Sequence, residues 1–240
     1  MPRIVSADLA YRTYRDTGIA VLDMSEDSIE CVFVDSAAAG LKGEPSPQVL
    51  AEFLVQLSSE LGASLLVLDG PQAWKDPNNG LQHSRLCERA LGTPAKTGVP
   101  GVVKPGNYLP FVAFSIAVFD ALAERGWPRY AGETLGGDQT VAVESFPMSA
   151  WKSMGFAILP AKAKCPPTEV IGRHRALCGR LPLRLASEPN HDELQALIAG
   201  LGGAGLLGSP LLRADCIGVA PYRLDEVWRE GFIVNPLYAQ

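Results

Sequence analysis

The stretch Ser64-Leu-Leu-Val-Leu-Asp69 constrains this chain more than any other segment. Four consecutive apolar residues leave no polar face, so a strand built from them must be covered on both sides. Strands of that kind belong to parallel sheets flanked by helices. The run stops on an acid, and Gly70-Pro71 marks a turn. The segment before it fits a crossover helix. Ser46 suits the N-cap and Pro47 the first helical position. Val49, Leu50, Phe53, Leu54, Leu57 and Leu61 then recur at helical spacing until Gly62.

Three short β-type runs precede that helix: Arg3 to Leu9, with the strand ending at Asp8, Thr17 to Leu22, and Ile29 to Asp35. Their brief links, Asp16–Gly18 and Ser25-Glu26-Asp27, predict an antiparallel meander. Gly70 to Gly106 is rich in Gly and Pro and reads as an ordered insertion or lid, with a short helical piece near His83 to Leu91. A helix is expected over Tyr108–Glu124, a buried strand over Thr140–Phe146, and a helix over Thr168–Cys178. Asn190 caps a last helix with Leu194, Leu197, Ile198 and Leu201 on one stripe, and Gly202-Gly203 is expected to end it. The pattern predicts a single α/β domain over residues 1–240, with a mixed five-stranded sheet and an insertion at about 70–106.

A length of 240 residues, 47% of them hydrophobic, suits one domain with a full core. The net charge of −5 argues against a wholly basic surface that coats duplex DNA, though not against a local basic track. The five cysteines are odd in number and lack a C-x-x-C, and the three histidines do not flank them at zinc spacing. Free buried thiols are therefore expected. The N-terminal residues lack the apolar core of a signal peptide. The longest apolar run, Tyr108 to Phe119, is read as too short for a membrane span of about 20 residues. A soluble protein of a reducing cytoplasm is the expectation.

Asp8, Asp69 and Glu144 all stand where strands end, and Asp192 lies in the first turn of the late helix. If the strands of Asp8 and Asp69 are parallel neighbours, both side chains reach the crevice where open α/β sheets bind ligands. Crowded carboxylates repel one another, and a Mg²⁺ or Mn²⁺ ion removes that repulsion with oxygen ligands it prefers. Two such ions about 4 Å apart can activate water and stabilise the leaving oxygen of a phosphodiester. Each acid also has a plainer role: turn residue for Asp8 and Asp69, partner of an Arg for Glu144, helix-dipole residue for Asp192. Asp192 projects roughly opposite the leucine stripe, which normally means solvent. Ala196 and Ala199 share its face and allow a close approach to a sheet.

Ser6-Ala-Asp8-Leu-Ala-Tyr-Arg12, followed by Thr17-Gly-Ile-Ala-Val-Leu22, resembles the opening of ribonuclease H-like proteins. More narrowly, the chain resembles a family of predicted nucleases with that fold (domain of unknown function 429). The resemblance rests on the Asp-x-Pro strand end at Asp69-Gly70-Pro71 and the helix segment Arg85-Leu-Cys87-Glu-Arg89. It also rests on Glu144-Ser-Phe-Pro147 and on the His191-Asp192-Glu-Leu-Gln-Ala196 helix start. It implies a metal-dependent nuclease, with Asp8, Asp69 and Asp192 as metal ligands and Glu144 as a further ligand or base. Members of that family commonly carry a second acid one turn later, where this chain has Gln195 or Ala196.

Between Lys162 and Arg184 the chain holds six basic residues, Lys162, Lys164 and Arg173 among them, against one acid. With Arg12 and Arg15 they form a candidate phosphate track for nucleic acid, or an ordinary solvated face. Trp74, Tyr108 and Trp151 are candidate stacking platforms. His191 either handles a proton or makes a local hydrogen bond. Two other readings stay open. An actin-like ATPase or sugar kinase shares the meander, but the turn after Asp8 lacks the glycines that wrap phosphates. A non-catalytic ribonuclease H-like binding module fits the absent second helix acid.

Overall fold

The computed structural model describes residues 2–136 and 139–239. Its elements begin with β1 (Arg3–Asp8), β2 (Gly18–Met24), β3 (Ile29–Phe33), α1 (Pro47–Leu61) and β4 (Leu65–Asp69). Then come α2 (Leu86–Leu91), the two-residue strands β5 (Lys96–Thr97) and β6 (Val103–Lys104), α3 (Leu109–Glu124), β7 (Val141–Ser145) and α4 (Pro147–Ser153). The chain finishes with α5 (Pro167–Cys178), β8 (Leu183–Leu185), α6 (His191–Leu206), β9 (Leu212–Leu224) and β10 (Val227–Tyr238).

The strands pair in the order β8-β3-β2-β1-β4-β7-β10-β9. β1, β2 and β3 form the expected antiparallel meander, and β4 and β7 lie parallel to β1. A meander followed by parallel crossover strands is the ribonuclease H-like arrangement. The five expected strands form its centre. β8 extends one edge and the β9–β10 hairpin the other, so the sheet has eight strands rather than five. Leu65 to Leu68 in β4 are wholly buried, as a central strand with helices on both faces requires.

Two apolar layers cover the sheet. Alternation along β1 and β4 sends Ile4, Leu65 and Val67 toward α6, and Val5, Ala7, Leu66 and Leu68 toward α1 and α3. α6 does not stop at Gly202-Gly203. It runs to Leu206, and its glycines are points of close approach. A Cβ on Gly203 would collide with Val67, and one on Gly200 with Leu22 and Ser6. The helix therefore lies directly on the sheet, with α4 and α5 on its other side. Burial all round explains why its apolar stripe is broad.

Gly106–Glu124, 19 residues with mean hydropathy 1.4, is long and apolar enough to cross a membrane by length and composition. This corrects the shorter estimate from the sequence. Here Val118, Phe119 and Leu122 are buried with Leu50 and Leu54 of α1. The 70–106 insertion is tied to β10 by main-chain bonds from Trp74 N to Trp228 O and from Glu230 N to Trp74 O, at 3.0 and 2.8 Å. A register shift between Arg229 and Gly231 bulges β10. Glu230 there accepts from the backbone N–H groups of Asp76 and Leu86.

Candidate active site

β1 and β4 pair in parallel with Asp8 opposite Asp69, at the carboxyl ends of both strands. Directly opposed residues share a face, so both side chains stand on the α6 side, within hydrogen-bonding reach of each other. Burial pushes the Asp8 carboxyl well above the usual range, and the charges of Asp69 and Asp192 push it further. Burial lifts Asp69 to about 7 despite its bond with Asp8, and Glu144 adds to the rise. Two carboxylates this close hold a proton between them or call for a cation.

Asp192 reaches the pair because of a glycine. Gly18 of β2 sits opposite Asp8, and a Cβ there would land inside the carbonyl of Asp192. The bare backbone of Gly18 lets the first turn of α6 rest on the strand. Asp192 is thus only 7% exposed, although its helical azimuth suggested solvent. The Asn190 side chain caps the helix by accepting from the N–H groups of Asp192 and Glu193. Lys162 Nζ bonds Asp192 Oδ2 and also reaches Asp16 Oδ1 at 2.7 Å. His191 Nδ1 lies 3.1 Å from Asp192 Oδ1, and its Nε2 lies 2.9 Å from the carbonyl of Pro160. Burial lowers the Lys162 ammonium, but its bonds to Asp16 and Asp192 outweigh that and raise it.

Glu144 stands apart from the pair. Its register partner on β4 is Leu68, not Asp69, so its side chain projects from the opposite face. There Arg85 grips it through Nη1 at 2.7 Å and Nη2 at 2.6 Å, and the Gln72 N–H adds a third bond at 2.9 Å. Arg85 also donates to Glu88 through Nε and Nη2, each at 3.1 Å. All three charged residues are buried.

Part of the proposed phosphate track is engaged internally, while among the described residues Arg15 and Arg175 are exposed and make no ion pair. Lys162 is held as described, and Arg173 pairs with Glu169 one turn away at 2.8 Å. Arg184 approaches Glu30 at 3.6 Å. Among the described residues Lys164 makes no ion pair, and it is exposed. Arg12 is also exposed and lies over the Tyr11 ring, 5.2 Å from its centroid. Gln195 accepts from Trp151 Nε1 at 2.8 Å, and Ala196 is wholly buried, so neither position offers a free acceptor beside Asp192.

Among the described residues no three His, Cys, Asp or Glu side chains are spaced to hold one metal ion together. The Asp8–Asp69 pair fits Mg²⁺ by donor chemistry, since that ion is usually held by one or two carboxylates with water filling the rest. Sequence reasoning missed Gly18, which it read only as a turn residue; it offered an arginine partner for Glu144, and the structure identifies that partner as Arg85.

No family model and no curated protein matches this chain. Among solved structures it is similar to the Thermus thermophilus RuvC structure at 11% identity and a TM-score of 0.39, over 82% of this chain and 90% of that one. T. thermophilus RuvC in complex with a Holliday junction substrate aligns at 11% identity and 0.37, over 83% and 89%.

Proposed function

We propose that this chain is a metal-dependent nuclease that hydrolyses phosphodiester bonds of nucleic acid, of the predicted-nuclease family its motifs resemble. The observation that carries this is the Asp8–Asp69 pair, two half-buried carboxylates in direct register with, among the described residues, no side-chain cation bonded to either. Asp8 and Asp69 would hold Mg²⁺ or Mn²⁺, with Asp192 joining if Lys162 releases it. Such an ion would lower the cost of activating a water and stabilise the leaving oxygen. The chain's own residues fix the donors: main-chain pairing of β1 and β4 sets Asp8 against Asp69, and Gly18 and Asn190 set the first turn of α6. Glu144 acts through Arg85 as a positioning residue and not as a ligand. Arg12, Arg15, Lys164 and Arg175 are the exposed basic side chains of the track left to meet phosphate.

The non-catalytic module is favoured by one observation, the lysine on Asp192. A single measurement separates the two readings. Mn²⁺ or Mg²⁺ should raise the melting temperature of the wild type, and Asp8→Asn should abolish the gain. Cleavage of single-stranded, duplex, branched and RNA–DNA hybrid substrates should then require the metal. A wild type indifferent to both ions would leave only the binding module.

A further inference from the structure

Asp69 also stands at the rim of a cavity of about 240 Å³ on the α1/α3 side of the sheet end. Its buried lining includes Arg85, Glu88, Glu144, Thr93 and Ser145, whereas Tyr108, Phe111 and Phe146 are half-buried. Tyr108 and Phe111 line a second hollow as well, together with Tyr11 and Arg12. The Tyr11 and Phe111 rings lie 6.4 Å apart. Aromatic surface therefore runs from the exposed Arg12 to the cavity that Asp69 borders.

The charge of the cavity excludes an anion. Arg85 supplies one positive charge, while Glu88 and Glu144 supply two negative ones and Asp69 waits at the rim. A phosphate or carboxylate inside would meet net repulsion at low dielectric. A flat neutral group meets aromatic edges and a defined polar end. Arg85 has five N–H groups, and its guanidinium spends four on Glu88 and Glu144. Glu88 accepts from Arg85 Nε, Nη2 and N, and from Thr97 N, which uses its lone pairs. Glu144 accepts three bonds, so one lone pair on Oε1 remains. The spare N–H on Nη1 and the spare lone pair on Oε1 lie on opposite sides of the fork, so a flat group in the cavity meets one of them and rests mainly on the aromatic lining.

We propose that this cavity receives an unpaired nucleobase from the strand whose phosphodiester lies at Asp8 and Asp69. The substrate class is then nucleic acid with an unstacked nucleotide beside the scissile bond, because a base inside a continuous duplex cannot reach a recessed cavity. This rests on the nuclease reading and narrows it.

The test uses two DNA duplexes that carry a single-nucleotide bulge, one with adenine and one with an abasic residue at that position. Binding is measured by fluorescence anisotropy with the full-length Asp8→Asn protein, so that cleavage does not intervene. The adenine bulge should bind about tenfold tighter than the abasic one, the scale of one stacked base. Ala95→Phe and Met148→Trp each place bulk at the cavity, and their melting curves report whether they fold. Both should remove the preference while binding the abasic bulge as before. Equal affinity for the two bulges, including no detectable binding, overturns the proposal, as does a preference that survives in both folded filling variants. Cleavage by the wild type in Mn²⁺ is scored separately. Equal cleavage of both bulges would end the base pocket and keep the nuclease. A base preference with no cleavage of any substrate would keep the pocket and end the nuclease.

Discussion

The two faces of the sheet end hold carboxylates at the same height and treat them in opposite ways. On the α1/α3 face Glu144 and Glu88 are clasped by Arg85, and most of their lone pairs are filled. On the α6 face Asp8 and Asp69 face each other with, among the described residues, no side-chain cation bonded to either; burial pushes both carboxyls upward, as it does that of Glu144. Burial alone therefore does not mark a functional acid. A buried acid with a bidentate guanidinium is part of the frame, and a half-buried acid left against another acid is a place for a ligand.

The strongest way to break this contrast is to remove the clasp. Arg85→Ala should cost about 3–5 kcal/mol in urea unfolding, because it leaves two buried carboxylates without a partner. A loss below about 1 kcal/mol would mean that water reaches Glu144 and that the two faces differ less than their contacts imply.

Metal addition probes the other face. At a hundredfold excess over Kd, Mn²⁺ should raise Tm by roughly 5–10 °C. Asp8→Asn and Asp69→Asn should each abolish the rise. Glu144→Gln should lower the starting Tm and keep the rise. If Glu144→Gln also loses it, the glutamate belongs to the metal site and the division between faces fails.

Gly18→Ala sharpens the role of α6. The added methyl has no room against the Asp192 carbonyl, so it should cost about 1–3 kcal/mol and shift the first turn of α6 outward. The Mn²⁺ rise should shrink in that variant. An unchanged rise would show that Asp192 takes no part.

The legible parts of this molecule were those with local causes. The meander, β4 and α1 follow from periodicity, caps and short turns, and the register of Asp8 with Asp69 follows from two strands that end on acids. The β9–β10 hairpin was not legible. Its turn, Asp225-Glu226, holds φ of 50° and 60° without the glycine or asparagine that usually marks such a turn. Pro221, Pro236, Gly218 and Gly231 inside the strands argue against strands at all. The end placed at Gly202-Gly203 failed because glycine marks both a helix stop and a close approach, and only the neighbouring sheet decides between them. The face of Glu144 was hidden for a related reason: one residue of register against β4 inverts a side chain, and register is a property of two strands.

Lys162 carries the smallest effect and the most informative one. The sequence suggested a phosphate ligand, and the structure sets its ammonium on Asp16 and Asp192. The two roles give opposite signs in Lys162→Gln. If the ammonium competes with metal for Asp192, its removal tightens Mn²⁺ binding by a few-fold, within the range of a half-exposed ion pair. If it meets a phosphate, nucleic-acid affinity falls and the slope of log K against log salt drops by about one. Calorimetric Mn²⁺ titration and a salt series on one oligonucleotide read the two separately. The contact with Asp192 predicts tighter metal binding with little change in salt slope. A lost salt-dependent contact with unchanged metal affinity would move Lys162 from the carboxylate side of the site to the substrate side.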